Sequence, residues 1–105
     1  ADPALGAAIA IMERAVEDPP TVAEIARRVG LSPRRLEMLF ADHLGTSPAR
    51  FFRDLRLDEA RRMVTDTRLP MHEIALRTGF AGQAAFARAF RARFAATASA
   101  LRRGQ

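Results

Sequence analysis

Arginine side chains dominate the chemistry available to this 105-residue chain, because all 17 of its basic residues are Arg. They are unevenly spread. From Arg77 to the C-terminus there are six Arg and no acidic residue, whereas the first 76 residues carry 11 Arg and 12 acidic residues. A one-sided positive charge indicates a polyanionic partner, with nucleic acid as the first interpretation and an anionic membrane surface as the second. A solvated face without a partner is the alternative that charge alone leaves open.

Catalytic and metal-binding chemistry find no support in the residue pattern. The two histidines, His43 and His72, lack ligand spacing, and no carboxylate cluster accompanies them. The chain contains no Cys, which excludes disulfides and thiolate metal sites and suits a cytoplasmic protein. No glycine-rich phosphate loop or nucleophile motif is present, and no apolar run reaches the roughly 20 residues of a membrane helix. We therefore expect no enzyme, no cofactor, no metal and no membrane span.

The elements that position the arginines are predicted to be helices, because apolar residues recur at helical spacing and no stretch alternates like a strand. One apolar face is formed by Leu5, Ile9, Met12 and Val16. Later helices are predicted to start at a capping box, Thr21 with Glu24, and at the pairs Ser32-Pro33 and Ser47-Pro48. Helix ends are predicted at Gly30, Gly45 and Gly79. The pattern predicts seven helices, including a long one from Pro48 to about Thr65 and a last turn at about 98–103.

An internal repeat organises these helices. Residues 21–31 read TVAEIARRVGL and residues 70–80 read PMHEIALRTGF, with five identities in eleven positions. The following helices match at an offset one residue longer, with Leu36, Phe40 and Leu44 opposite Phe86, Phe90 and Phe94. Each copy is a short helix, a glycine turn and a longer helix, which is a helix-turn-helix whose outer face can enter a major groove. A helical hairpin repeated only for packing is the alternative.

The motif-bearing segments are TVAEIARRVGLSPRRLEMLFADHLGTSP, RLDEARRMV and LPMHEIALRTGFAGQAAFARAFRARF. With them the chain resembles the DNA-binding domain of the AraC/XylS family of transcription regulators. It is similar, more loosely, to the branch in which this domain follows an amidase-like ligand domain. The resemblance implies an all-α, homeodomain-like fold of seven helices. It implies a first helix-turn-helix subdomain at 1–47, a linker helix at 48–66 and a second subdomain at 67–105.

The resemblance also implies a function. One chain would insert two recognition helices into successive major grooves of double-stranded DNA, at an asymmetric site because the two helices differ in sequence. The joining helix would span roughly 27 Å, against about 34 Å between successive grooves. RNA polymerase and an N-terminal effector-binding or dimerisation domain are the further partners that the family implies. Whether the protein activates or represses is left open.

In the first recognition helix, 32–43, the family's base-facing positions fall on Arg34, Glu37 and Met38. Arg can bond guanine and Glu can accept a hydrogen bond from cytosine. Glu37 could instead pair with Arg34 one turn away. Met38 could touch a thymine methyl or cover the core, and Arg35 beside them is expected to contact a phosphate.

In the second recognition helix the family's base-facing positions fall on Gln83, Ala84, Ala85, Ala87 and Arg88. Gln83 can bond adenine and Arg88 can bond guanine or a phosphate, whereas the alanines offer only methyl contact, best to thymine. We therefore expect this half to discriminate less between bases. The alternative for this half is a degenerate helix-turn-helix that contacts another protein.

Further positions are expected to hold the duplex or to depart from the family pattern. Phosphate or positioning contacts are predicted, beside Arg35, for Thr21, Ser47, Arg91 and Arg93. Ala81 is a poor N-cap residue and Gly82 a tolerable one, so the second recognition helix lacks a side-chain cap worth about 1 kcal/mol. Ala95 and Ala98 stand where the first copy has Gly45 and Pro48, and these two departures predict a looser or differently placed C-terminal turn.

Overall fold

Every regular element of the computed structural model, which describes residues 2–104, is an α-helix. The helices are α1 (Pro3–Arg14), α2 (Val22–Arg28), α3 (Pro33–Leu44), α4 (Pro48–Asp66), α5 (Met71–Arg77), α6 (Gln83–Phe94) and α7 (Ala98–Arg103). The prediction of an all-α chain of seven helices is confirmed for this range. None of these helices combines the length and apolarity needed to cross a membrane.

Two compact units divide the chain within α4, the first ending at Arg53 and the second starting at Asp54. In the first unit α1 packs on α2 and α3, and in the second α5 packs on α6 and α6 on α7. The sequence-based division into 1–47, 48–66 and 67–105 treats α4 as a separate linker, and it stays a prediction.

The buried face of α1 differs from the expected one. Leu5, Ala8 and Met12 are buried, while Ile9 is only half-buried. The helix ends at Arg14, so Val16 lies beyond it and not on its face. The prediction that Val16 belongs to this helix was wrong, because the chain leaves the helical conformation at Ala15, before the Asp-Pro-Pro run is reached.

The second unit has a single core to which all four of its helices contribute. Its buried members from α4 are Leu57, Ala60 and Val64, which pack with residues of α5, α6 and α7: Ile74, Ala75, Phe86, Phe90 and Ala98. The α4 residues have the same i, i+3, i+7 spacing as the buried residues of α1. Each unit is therefore a helix followed by a helix-turn-helix, and the repeat includes one helix more than the sequence comparison detected.

The turn of each helix-turn-helix has the same hydrogen bonds. Gly30 and Gly79 adopt left-handed backbone conformations, with φ of 77° and 79°. The amide of Leu31 donates to the carbonyl of Ala26 at 2.9 Å, and the amide of Phe80 donates to that of Ala75 at 3.0 Å. These are Schellman turns, which satisfy the free carbonyls at a helix end and need a residue that tolerates positive φ.

Side-chain hydroxyls cap four of the helices. Thr21, Ser32, Ser47 and Thr97 each accept a hydrogen bond, at 3.0–3.1 Å, from the backbone amide three residues later. The predicted caps at Thr21, Ser32 and Ser47 are confirmed. Each satisfies an amide that the first helical turn would otherwise leave without a partner.

The C-terminal turn keeps the geometry of its counterpart in the first copy. Ala95 adopts φ 56° and ψ 24°, close to the φ 66° and ψ 23° of Gly45. Thr97 then caps α7, as Ser47 caps α4. The expectation of a looser or differently placed turn was therefore wrong. The conformation is retained, and Ala95 bears the strain of a positive φ at a residue that has a Cβ.

Replacing Ala95 with glycine should stabilise the protein. Ala95→Gly removes a left-handed backbone strain of about 1–2 kcal/mol. Glycine also increases the conformational entropy of the unfolded chain, which offsets part of this effect, so the free energy of unfolding should rise by about 0.5–1 kcal/mol. Chemical denaturation measures the difference. Ala92→Gly, at an exposed helical position of α6, is the matched control and should destabilise by about 0.5–1 kcal/mol. A loss of stability in Ala95→Gly would contradict the assigned strain.

Candidate nucleic-acid interface

The predicted first recognition helix, α3, is divided into a buried and an exposed face. Leu36, Leu39 and Phe40 are buried in the first unit, and the ring of Phe40 packs edge-on against Phe51 at 5.4 Å. The intervening residues point outward, and all of the positions assigned to DNA contact are among them: Arg34, Arg35, Glu37 and Met38. The apolar contacts of one face thus fix which side chains the other face presents.

Two alternatives for these exposed residues can be compared with the structure. In the described part of the chain, Arg34 and Glu37 form no ion pair with each other, so both side chains keep their hydrogen-bonding groups available. Met38 is 46% exposed, which is high for a large apolar side chain. This exposure makes core packing a poor account of Met38 and leaves its thioether and methyl groups available to a partner.

The second recognition helix, α6, presents a smaller and less polar outer face. Gln83, Ala84, Ala87 and Arg88 are exposed and Ala85 is half-buried, while Phe86 and Phe90 on the opposite side are buried. Only Gln83 and Arg88 among the five predicted contact positions carry hydrogen-bonding side chains. The predicted lack of a side-chain cap at Gly82 is confirmed.

The buried apolar face of each of the two helices is shorter than the sequence indicated. Leu44 is 40% exposed and does not continue the buried face of Leu36 and Phe40. Phe94 is half-buried, with its ring 4.7 Å from that of Phe90 and the guanidinium of Arg61 4.9 Å above it. The third matched position in each helix is therefore less buried than the first two.

The predicted phosphate contacts fall into two groups. Arg35 and Arg91 are exposed and, within residues 2–104, form no ion pair. Arg93 by contrast donates two hydrogen bonds to the Asp58 carboxylate, at 2.9 and 3.1 Å, and lies 3.3 Å from Asp54. Hydrogen bonding to Asp58 raises the pKa of Arg93 above its ordinary value, with a smaller contribution from the charges of Asp58 and Asp54. A phosphate contact would require Arg93 to exchange these carboxylates.

Much of the positive charge at the C-terminal end serves the second unit itself. Arg102 donates hydrogen bonds to carbonyls at and beyond the end of α4, including those of Val64 at 3.0 Å, Leu69 at 2.6 Å and Thr67 at 3.2 Å. Arg77 pairs with Glu73. With Arg93, three of the six C-terminal arginines therefore have structural partners. Carboxylates offset the charges of Arg77 and Arg93, whereas Arg102 keeps its charge but has its donors engaged within the unit.

The described residues include no group of three His, Asp or Glu side chains arranged to hold a metal ion. His43 and His72 are both exposed, one on each unit. Thr21 and Ser47 use their hydroxyls as helix caps, and any contact they make to an anion would come from their remaining lone pair and the adjacent amides.

Comparisons with known proteins agree with this geometry. The family described as "Helix-turn-helix domain" matches residues 25–104. The HTH-type transcriptional regulator CdhR of Pseudomonas aeruginosa is 43% identical over 88 residues, which is 84% of this chain and 26% of that protein. The HTH-type transcriptional regulator GlxA of Rhizobium meliloti is 43% identical over 101 residues, which is 96% of this chain and 31% of that protein. The chain thus spans less than a third of either relative.

A solved structure supports the fold directly. The crystal structure of a transcriptional regulator from Chromobacterium violaceum, described among AraC-type DNA-binding domain-containing proteins, superimposes with a TM-score of 0.92 at 36% identity. The match covers 96% of this chain and 90% of that chain.

The different surroundings of Arg91 and Arg93 lead to opposite expectations for stability. Arg93→Ala removes the two-carboxylate ion-pair network and should lower the free energy of unfolding by up to about 1 kcal/mol, with a smaller loss at high salt. Arg91→Ala, which removes the same charge from the same helix, should change it by less than about 0.5 kcal/mol. Urea denaturation at low and high salt measures both. Equal effects of the two substitutions would contradict a structural role for Arg93.

Proposed function

The chain belongs to the AraC-type helix-turn-helix family, and on that premise we propose that it is the DNA-binding domain of a bacterial transcription regulator. Both α3 and α6 would act as recognition helices, one chain reading two different segments of duplex DNA. The observation that carries this proposal is that the two helix-turn-helix motifs have the same turn and the same buried face. In each motif the outer face of the longer helix, α3 or α6, is exposed.

The outer face of α3 has the chemistry to distinguish bases. An Arg such as Arg34 can donate two hydrogen bonds to the O6 and N7 atoms of guanine, and the Glu37 carboxylate can accept one from cytosine N4. Met38 would contact a thymine methyl. Because Arg34 and Glu37 have no ion pair between them to break, the cost of turning toward a base is small.

The outer face of α6 would read fewer base edges. Gln83 can bond adenine at N6 and N7, and Arg88 can bond guanine or a phosphate, while Ala84, Ala85 and Ala87 can contribute methyl contacts to thymine. Small side chains also let the helix backbone approach the duplex closely. We propose that α6 contributes to docking more than to sequence choice, and that α3 carries most of the discrimination.

Sequence-independent contacts would come from exposed cations and helix starts. Arg35 and Arg91 are the first candidates for phosphate contacts, because they are exposed and form no ion pair in the described part of the chain. The capped starts of α2 and α4, at Thr21 and Ser47, would add amide contacts to the DNA backbone. Arg93 would join them only by leaving Asp58 and Asp54.

The larger protein follows from the same premise. Its relatives CdhR and GlxA are transcription regulators more than three times longer than the matched region. We propose an N-terminal effector-binding or dimerisation domain, a contact with RNA polymerase, a cytoplasmic location and no catalytic activity. We also propose that residues 1–47 and 67–105 act as the two DNA-reading subdomains and residues 48–66 as the helix that joins them.

A second function for the second unit has one observation in its favour. Leu76 on α5 is 60% exposed, and the neighbouring α6 presents Ala84 and Ala87 to solvent. Exposed apolar side chains suit contact with a protein, such as the polymerase, better than contact with phosphates. In that case α3 alone would read DNA.

Salt dependence separates DNA docking by both units from these alternatives. Binding of the chain to a mixed-sequence 40-bp duplex, followed by fluorescence anisotropy, should weaken about 10³-fold or more between 50 and 200 mM salt if six or more phosphates are contacted. Arg91→Ala should lower the slope of log K against log salt by about 1.

The control is Arg62→Ala, which removes an exposed charge that pairs with Glu59 and should leave the slope unchanged. A slope that Arg91→Ala does not reduce would remove α6 from the DNA contact. No salt-dependent binding by the wild-type chain would refute the proposed function.

A further inference from the structure

The start of α6 is fixed by a different interaction from the one that fixes α3. Ser32 caps α3 by accepting a hydrogen bond from Arg35, whereas Gly82 provides no side-chain cap to α6. The first turn of α6 carries Gln83 and Ala84, two of the proposed contact residues. The first turn of α6 therefore lacks the side-chain hydrogen bond that the first turn of α3 has.

Arg56 of α4 contacts the turn that leads into α6. Its Nη1 donates hydrogen bonds to the carbonyls of Thr78 at 3.2 Å and Gly79 at 3.1 Å. Its guanidinium lies 4.9 Å from the centre of the Phe80 ring. The side chain thus holds both the end of α5 and the residue after the left-handed glycine, and this contact is partly buried.

The contact continues into α6 through aromatic packing. The Phe80 ring meets Phe86 edge-on at 5.5 Å, and Phe86 is fully buried on the inner face of α6. A continuous path of contacts therefore runs from Arg56 through Phe80 to Phe86, at the end of the first turn of α6. These contacts connect Arg56 to the helix that carries Gln83 and Arg88.

The first unit has no equivalent of Arg56. When Leu5, Ala8 and Met12 are matched to Leu57, Ala60 and Val64, the position of Arg56 corresponds to Ala4, which cannot donate to the carbonyls of its turn. The unit with a serine cap thus has alanine at this position, and the unit without a side-chain cap has arginine.

Guanidinium chemistry suits this role better than an ammonium group. A planar guanidinium can donate to two carbonyls and stack on an aromatic ring at once, and it stays charged at any physiological pH. Lysine provides a point charge on a flexible stem and cannot satisfy all three contacts with one fixed geometry.

We propose that Arg56 is a positioning residue for the second recognition helix: it sets the first turn of α6 and, through it, the fit of Gln83 and Arg88 to DNA. This inference rests on the proposed function, but its structural part can be tested without DNA. Arg56 acts on α6 through the turn and is not itself one of the proposed base or phosphate contacts.

The first test is amide hydrogen exchange in the free chain. Arg56→Met should speed exchange of the Phe80 and Phe86 amides, which donate to the carbonyls of Ala75 and Gly82, by about tenfold or more, as expected when hydrogen bonds from a charged donor are lost. Arg102→Met is the matched control, because Arg102 also binds backbone carbonyls of the second unit but does so at the end of α4. Each variant is measured at the same interval below its own Tm, so that general destabilisation is equalised.

The second test uses a photoreactive benzoylphenylalanine at position 38 or 84 and a mixed-sequence 40-bp duplex at 50 mM salt. Arg56→Met should reduce cross-linking from position 84 by about fivefold or more and leave that from position 38 within about twofold, because only α6 loses its support. Arg102→Met should lower both or neither. If the wild-type chain cross-links through neither position, the proposed function fails, whereas hydrogen exchange still decides the role of Arg56.

Two more variants complete the design. Arg56→Lys should fall between wild type and Arg56→Met in both measurements, and it supplies the comparison if Arg56→Met does not fold. Gly82→Ser adds the missing cap at a site where a Cβ meets no atom within 4 Å, and it should restore slow exchange in Arg56→Met or Arg56→Lys. Equal exchange in Arg56→Met and Arg102→Met, or wild-type behaviour of Arg56→Lys, would overturn the proposal.

Discussion

The left-handed glycine between a short and a longer helix is the constraint on which each unit depends. At Gly30 and Gly79 the chain takes φ values of 77° and 79°, which a residue with a Cβ adopts only under strain. The reversal lets the next residue's amide bond back to Ala26 or Ala75, the small buried residues of α2 and α5. With the turn fixed, the inner face of the longer helix is fixed too. The outer residues of α3 and α6 are exposed because of that register.

The two units share this frame but stabilise their recognition helices differently. Ser32 caps α3 locally, whereas α6 starts at an uncapped glycine and is approached by Arg56 from α4. At its other end α6 is tied to α4 by the pairing of Arg93 with Asp58 and Asp54. The helix α3 is thus stabilised mainly by its neighbours in sequence, and α6 by residues that are distant in sequence. This difference matches the division of labour that we propose, in which α3 selects bases and α6 docks.

Features that depend on neighbouring residues could be predicted from the sequence, whereas interactions between distant residues could not. The glycine turns and the caps at Ser32 and Ser47 depend on residues within a few positions of one another, so the sequence alone revealed them. The partners of Arg93 and Arg102 lie more than 30 residues away, and no local pattern distinguishes these arginines from Arg91 or Arg103. The sequence count therefore overstated how many of the C-terminal arginines have side chains available to a partner. The prediction of a looser turn at Ala95 was wrong for a related reason. The surrounding turn holds Ala95 in a left-handed conformation that alanine by itself disfavours.

Selection of bound sequences from random duplex DNA, done with this chain and repeated with Arg34→Ala and Arg88→Ala, tests most directly whether the two helices read different segments unequally. We expect a non-palindromic motif of two segments. Arg34→Ala should erase base preference in the more constrained segment, and Arg88→Ala should affect the less constrained one. A palindromic motif, a single segment, or a stronger loss of preference from Arg88→Ala than from Arg34→Ala would contradict it.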